Sequence, residues 1–152
     1  MKRSLVLACG NSLRGDDGVG LCVAESLRKE CHVSETEISC SQQWTPELAE
    51  KISAVDIAIF VDASATLPAG EIQVRPVEAG SESMGAITHS LNPERLLTLA
   101  RWLYCRGPDK AYLLTIGGKL FDPGEELSLP VHQAIPAAVA RIKSLLEDTT
   151  PA

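Results

Sequence analysis

A chain of 152 residues fits one domain of ordinary size, and we expect a single domain over residues 1–152. Its 14 basic and 20 acidic residues give a formal charge of −6, which argues against a surface for nucleic acid. The first nine residues hold too short an apolar run for a signal peptide or a membrane span, and no later run reaches membrane length. The five cysteines lack paired spacing, so we expect reduced thiols in the cytoplasm.

Strand-like apolar segments alternate with segments of helical periodicity along the chain. In order, we predict a strand at 4–9, a helix at 18–31, a modest strand at 33–39, a helix at 45–53 that Thr45 caps, a strand at 57–61, a strand at 71–77, an irregular segment at 85–91, a helix from Asn92 to about Tyr104, a strand at 111–116, a loop at 118–130 and a last helix through Leu145. Pro136 should kink that last helix or delay its start.

This alternation predicts an α/β fold with a mainly parallel sheet covered by helices on both faces. In such sheets ligands bind outside the carboxyl ends of the strands. The segments that follow Cys9, Val61 and Ile116 are therefore where functional residues are expected.

A glycine-rich turn with two adjacent acids, Asp16 and Asp17, follows the first strand. A strand-to-helix turn of this kind suggests phosphate binding. However, the spacing is neither G-x-G-x-x-G nor a Walker loop, and two carboxylates would repel a phosphate. The acids could instead cap the next helix and offset its dipole. A cap needs only one of them, and adjacent side chains point in different directions, so both interpretations stay open.

Two further polar residues are expected near the same edge. Asp62 directly follows an apolar strand, although it could simply cap a loop by binding the amides of Ser64 or Ala65. His89 lies in the irregular segment, whereas His32 follows a helix and His132 is expected at the surface. Two carboxylates and an imidazole together would suit a divalent cation such as nickel or zinc.

Nucleophilic catalysis has less support in the sequence. No G-x-S-x-G elbow and no H-E-x-x-H helix is present. Cys9 ends a strand and could in principle act as a thiolate, but a buried structural cysteine is the preferred interpretation.

Several segments resemble the nickel-dependent hydrogenase-maturation endopeptidases. Residues 7–20 (LACGNSLRGDDGVG) are similar to the family's opening, which is a strand, G-x-G-N, a short spacer, an acid pair and glycine. Residues 43–48 resemble its second helix entry, 60–63 its strand-end aspartate, 88–91 its histidine loop, and 127–128 the start of its last helix. The matches follow the family's order and cover nearly the whole chain.

The resemblance implies a three-layer domain with a twisted, mostly parallel sheet of about five strands. It implies an endopeptidase that removes the C-terminal extension of a nickel-loaded hydrogenase large-subunit precursor. Asp17, Asp62 and His89 would be both metal-binding and catalytic, and Asp16 would cap the helix or orient its neighbour. Nickel would arrive with the substrate, and we expect a monomer with no tightly bound organic cofactor.

The chain departs from the family pattern at two places. Ala8 replaces the first family glycine, and Gly118-Lys119-Leu120-Phe121 follows Gly117 where the family has an apolar residue and then proline. The second change affects the loop expected to touch the substrate. It keeps open a non-catalytic, metal-sensing chaperone of a metalloenzyme precursor, and the glycine-rich turn keeps open a Rossmann-like nucleotide-binding domain.

Overall fold

A computed structural model describes residues 3–30, 35–80, 91–124 and 126–147. In these ranges the strands are β1 (Ser4–Cys9), β2 (Thr36–Ser41), β3 (Ile57–Ser64), β4 (Ile72–Pro76) and β5 (Lys110–Gly117). The α-helices are α1 (Val19–Glu30), α2 (Leu48–Ser53), α3 (Pro93–Tyr104) and α4 (Leu129–Glu147), and a 3₁₀ turn (Gly15–Gly18) precedes α1. In the described part of the chain, no helix is long and apolar enough to cross a bilayer.

The five strands form one sheet in the order β2-β1-β3-β5-β4. The first four strands of this order are parallel, and β4 pairs antiparallel with β5 at one edge. The buried residues of the central strands β1 and β3 are apolar apart from Ser4, because helices cover both faces of these strands. The predicted α/β fold with a mostly parallel sheet of about five strands is confirmed.

Alternation along the central strands builds a separate core on each face of the sheet. On one face Val6 and Val61 pack with residues of α1 and α4. On the other face Leu7 and Phe60 pack with residues of α2 and α3, and Trp44 meets the Phe60 ring edge-on at 5.6 Å between centroids. The sheet is therefore the middle one of three layers.

Several element boundaries differ from the prediction; β2, for example, ends at Ser41 rather than at residue 39. Helix α2 begins at Leu48, and Thr45 and Pro46 instead form turns whose carbonyls accept from the amides of Leu48 and Ala49. Strand β3 continues to Ser64 because its pairing with β5 continues to the end of that strand. Helix α4 starts at Leu129 and continues past Pro136, so the proline does not delay its start.

The start of α3 agrees with the prediction. The Asn92 side chain accepts a hydrogen bond from the amide of Arg95 at 2.8 Å, and Pro93 occupies the first helical position. The helix ends at Cys105, whose φ of 57° is left-handed. It then leads into β5 at the amino-terminal edge of the sheet, where the amide of Asp109 bonds the carbonyl of Asp56. The first turn of α3 therefore points toward the carboxyl edge.

Candidate active site

The candidate site lies where the carboxyl ends of β1 and β3 meet. The chain leaves β1 toward α1 and β2, whereas it leaves β3 toward β4 on the other side of the sheet. Divergence of two neighbouring strands in this way opens the crevice in which α/β sheets bind ligands. Helix α1 covers the two strand ends closely: a Cβ on Gly20 would lie 3.0 Å from the carbonyl oxygen of Cys9 and 3.3 Å from that of Val61.

The turn after β1 holds Asp17 in a defined position. Asn11 organises the turn, because its carbonyl accepts from the amide of Arg14 at 3.1 Å and its side chain accepts from the amide of Leu13 at 2.9 Å. The Asp17 carboxylate then accepts from the Asn11 amide at 2.9 Å. Gly10 is required here because a Cβ would overlap the carbonyl oxygen of Asp17. The Oδ2 atom of Asp17 thus fixes the turn.

Asp62 is part of β3 rather than the residue that follows it. Alternation places it on the same face of the sheet as Phe60, and its carboxylate accepts from the adjacent amide of Ala63 at 2.9 Å. Burial raises the pKa of Asp62 to about 6; the Ala63 amide opposes this rise and the charge of Asp17 adds to it. Because β1 and β3 are adjacent and parallel, with Ala8 opposite Val61, Asp17 and Asp62 lie at the same edge of the sheet. Their role as ligands stays a prediction.

The Cys9 thiol is buried at the same edge of the sheet, where the charges of Asp62 and Asp17 affect it. The buried thiol donates to the carbonyl of Gln42 at 3.5 Å. Burial, followed by the charges of Asp62 and Asp17, raises the pKa of Cys9 to about 12. A thiol in this environment stays protonated, which favours a structural cysteine over a thiolate nucleophile.

Asp16 has a different role from its neighbour. Its buried carboxylate accepts from the amides of Lys119 at 2.7 Å and Leu120 at 2.8 Å, and from both the amide and the hydroxyl of Ser128 at 2.7 and 2.8 Å. Burial alone would raise the pKa of Asp16, but these donors lower it below its ordinary value. No side chain caps the 3₁₀ turn. The helix-cap interpretation of Asp16 is therefore wrong: the carboxylate binds a distant segment of the chain.

Comparison with known proteins finds no matching family model and no matching curated protein. Several solved structures are similar over nearly their whole length. The hydrogenase-maturating endopeptidase HybD from E. coli shares 22% identity over 97% of this chain and 93% of its own, with a TM-score of 0.78. The hydrogenase 2 maturation peptidase from Thaumarchaeota archaeon SCGC_AB-539-E09 shares 25% identity over 96% and 99%, with a TM-score of 0.72. The [NiFe] hydrogenase maturation protease HycI from Thermococcus kodakarensis KOD1 shares 22% identity over 96% and 93%, with a TM-score of 0.74.

The chain has the fold of the hydrogenase-maturation endopeptidases. The resemblance recognised in the sequence is thus confirmed by solved structures named as members of this family. The acid pair and the strand-end aspartate, which carried the resemblance, occupy one edge of the shared fold.

The third candidate ligand of the maturation-endopeptidase pattern, His89, lies outside the described residues. Within ranges 3–30, 35–80, 91–124 and 126–147, no three His, Cys, Asp or Glu side chains are grouped to hold a metal ion. The described part therefore contributes two carboxylates, Asp17 and Asp62. Asn92, the N-cap of α3, follows His89 by three positions in the sequence, and Leu91 packs on the face of the sheet that Asp62 shares.

The loop that departs from the maturation-endopeptidase pattern has a structural basis in this chain. A Cβ on Gly118 would lie 2.5 Å from the ring of Phe121 and 3.0 Å from the Cβ of Asp16, so a larger residue would require the Phe121 ring to move. Sequence reasoning missed Ser128 as a partner of Asp16. The only sequence signal for a further role was the presence of two adjacent acids. A helix cap needs one carboxylate, so the other must have a different function.

Ser64, a possible nucleophile near the candidate site, has a structural role in a turn. Its hydroxyl oxygen accepts from the amides of Thr66 and Leu67, both at 3.2 Å, which is the geometry of a turn that a serine closes. Ser64 therefore ends β3 structurally, and no histidine among the described residues bonds to it.

Proposed function

We propose that this chain is an endopeptidase that removes the C-terminal extension of a nickel-loaded hydrogenase large-subunit precursor. The observation that supports the proposal is the position of both acids at the strand-end crevice of the maturation-endopeptidase fold: Asp62 lies in β3, and Asp17 is bonded to the turn that follows the adjacent, parallel β1. Two carboxylates held near each other repel, and a divalent cation between them removes that repulsion. Carboxylate oxygens and an imidazole nitrogen are suitable ligands for nickel.

Nickel is best treated as part of the substrate. Two carboxylates and one imidazole leave coordination positions for groups that the precursor already supplies, so the site can hold a metal that arrives with its own ligands. Only a metal-loaded precursor would then bind in register, because a metal-free one lacks the contact that orients its scissile bond. This is a direct physical route to specificity for the finished metal centre.

His89 is proposed as the third ligand. The first turn of α3 points toward the carboxyl edge of the sheet, and Leu91 packs on the Asp62 face, so the chain enters that helix from the side of the site. A neutral imidazole is the commonest nitrogen ligand for such metals.

Asp62 is also the residue best suited to proton transfer. The pKa of about 6 describes the metal-free protein; a bound cation would favour the ionised carboxylate, which is the form that can act as a general base. In the proposed reaction it takes a proton from the water that attacks the peptide carbonyl. Asp17, pinned to the Asn11 amide, keeps its position throughout.

We place the reaction in the cytoplasm. The cysteines in the described part of the chain are free thiols, which supports a reducing compartment. This compartment also suits a precursor that receives its metal before export or assembly.

The test is incubation with nickel-loaded large-subunit precursor, followed by intact-mass measurement of its C-terminus. We expect loss of the extension from nickel-loaded precursor and none from metal-free precursor. Asp17→Asn, Asp62→Asn and His89→Ala should each lower the processing rate at least about 100-fold, a typical loss for a group that acts directly on the reaction. Asp109→Asn, an equal charge change at an exposed position, should process normally. Binding without mass loss would refute the endopeptidase and support the chaperone alternative.

A further inference from the structure

Two segments far apart in the sequence are tied together beside the candidate site. The turn at 13–17 and the segment at 118–128 exchange backbone hydrogen bonds: the Gly15 amide with the Gly124 carbonyl at 2.7 Å, the Asp16 amide with the Leu120 carbonyl at 2.7 Å, and the Gly124 amide with the Leu13 carbonyl at 2.8 Å. Gly15 has a φ of +56°, and a Cβ there would lie 2.5 Å from the Leu120 carbonyl oxygen. The two segments are in direct backbone contact.

The Asp16 carboxylate supplies the side-chain part of this connection. Its two oxygens receive the amides of Lys119 and Leu120 and both donors of Ser128. Hydrogen bonds to an ionised, buried acceptor are stronger than those between neutral groups. Asp16 therefore determines how the turn is rotated relative to the rest of the molecule.

The rotation of the turn decides where Asp17 points. In a 3₁₀ turn of about three residues, consecutive side chains are separated by about 120°. Asp16 points toward 119–120 and 128, whereas Asp17 points back to the backbone amide of Asn11, at the end of β1 beside the strand that holds Asp62. A fixed direction for one acid thus sets the direction of the other.

Without a cation, the charges of Asp17 and Asp62 oppose this arrangement. Within the described ranges, no ion pair reaches either carboxylate. Repulsion should therefore favour rotation of the Asp17 side chain away from Asp62. The hydrogen bond from the backbone amide of Asn11 to Asp17 and the hydrogen bonds of Asp16 oppose this rotation.

We infer that Asp16 is a positioning residue for the candidate site: it anchors the turn at 13–17 to the segment at 118–128 and so keeps Asp17 facing Asp62 before a cation arrives. The functional meaning of this inference rests on the proposed endopeptidase, but the positioning itself does not. It also links the loop that departs from the family pattern to the acid that would bind the metal.

The direct test is amide hydrogen exchange by NMR on the metal-free protein. Exchange of the backbone amide of Asn11 reports whether its hydrogen bond to the Asp17 carboxylate is kept. In Asp16→Asn, the side-chain NH₂ would face either the Ser128 amide or the Lys119, Leu120 and Ser128 hydroxyl donors, and the remaining oxygen would carry no charge. We expect at least tenfold faster exchange at Lys119, Leu120 and also Asn11. Ser128→Ala keeps the carboxylate and the Ser128 amide but removes the hydroxyl, so it should give a smaller change in the same direction. If Asp16→Asn does not fold, exchange at Asn11 in Ser128→Ala tests the inference instead.

A core variant separates positioning from general loss of stability. Ile142→Val lies in the α1–α4 core and should lower the melting temperature without faster exchange at Asn11. The inference is overturned if Lys119 and Leu120 lose protection in Asp16→Asn while Asn11 exchanges as in the wild type.

Binding of nickel ion alone gives a second readout. Asp16→Asn retains every proposed ligand, yet it should bind Ni²⁺ about tenfold more weakly than the wild type, as expected when a group that orients a ligand is lost. Equal affinity in the two proteins would contradict the inference. If the wild type fails to process any precursor, the proposed function fails, but the exchange at Asn11 still decides the role of Asp16.

Discussion

Replacing Asp62 by Asn should stabilise the metal-free protein at neutral pH. The pKa of this carboxyl is raised from 3.8 to about 6, mainly by burial. A raised carboxyl pKa means that the folded state binds the proton more tightly than the unfolded state, so stability is lost as pH rises from about 4 through about 6. Each pKa unit corresponds to about 1.4 kcal/mol, so the ionised Asp62 costs the folded protein at most about 3 kcal/mol.

Asparagine removes this cost while it keeps the local hydrogen bond. Its amide oxygen can still accept from the Ala63 amide, and its volume is nearly that of aspartate. We expect Asp62→Asn to raise the free energy of unfolding by about 1 to 3 kcal/mol at pH 8 and by close to zero at pH 4, where the wild-type carboxyl is protonated. Urea denaturation at the two pH values, with a chelator present, measures both differences.

Two matched variants make this prediction specific. Asp109→Asn removes the same charge from an exposed position and should change stability little at either pH. Asp17→Asn should give part of the same stabilisation, and the double variant with Asp62→Asn should gain less than the sum, because the two carboxylates repel each other only when both are charged. If Asp62→Asn changes the free energy of unfolding equally at pH 4 and pH 8, the pKa of Asp62 is not raised by burial.

The other predictions concern stability away from the reaction. Asp16→Asn should lower the free energy of unfolding by at least about 2 kcal/mol at pH 7, because it leaves a buried donor of Ser128 unpaired. Since the pKa of Asp16 is lowered, its stabilisation is present above about pH 4 and is lost as pH falls further, so urea titrations of variant and wild type should converge in acid. Asn92→Ala should cost about 1 kcal/mol by loss of the cap on α3, seen as a lower melting temperature, whereas Asn92→Asp should be nearly neutral. A chelator should leave the melting temperature of the wild type unchanged, because we expect no structural metal; unfolding on chelation would contradict this.

The sequence predicted the framework of the fold well because its strongest signals are local. Continuous apolar runs predict the two central strands, and the capping pattern at Asn92 predicts the start of α3. The end of β3 was predicted too early because its last residues are set by pairing with β5, a partner that no local pattern reveals. Helix α2 likewise begins at Leu48 because turns, rather than a helical cap, form at Thr45.

The candidate site likewise has features that local patterns predict and features that depend on distant residues. The rule that ligands gather at strand ends predicted one edge of the sheet for Asp17 and Asp62, since it depends only on strand direction and order, and the adjacent, parallel β1 and β3 agree with it. That the two acids bind a metal together stays a prediction. His89 stays a prediction, because it lies outside the described residues. The partners of Asp16 lie more than a hundred positions away, so a local pattern offered only a cap for it.

This difference changes how substitutions of the acid pair must be interpreted. If Asp16 were a simple cap, Asp16→Asn would leave processing intact, and loss of processing would mean that the metal-binding acid had been assigned one position too late. With Asp16 anchored to Lys119, Leu120 and Ser128, loss of processing in that variant is expected even when Asp17 is the ligand. Activity alone therefore cannot separate the two roles. The separation comes from the metal-free protein: Asp17→Asn should remove charge from the site and leave Lys119 and Leu120 protected, whereas Asp16→Asn should expose both amides to exchange.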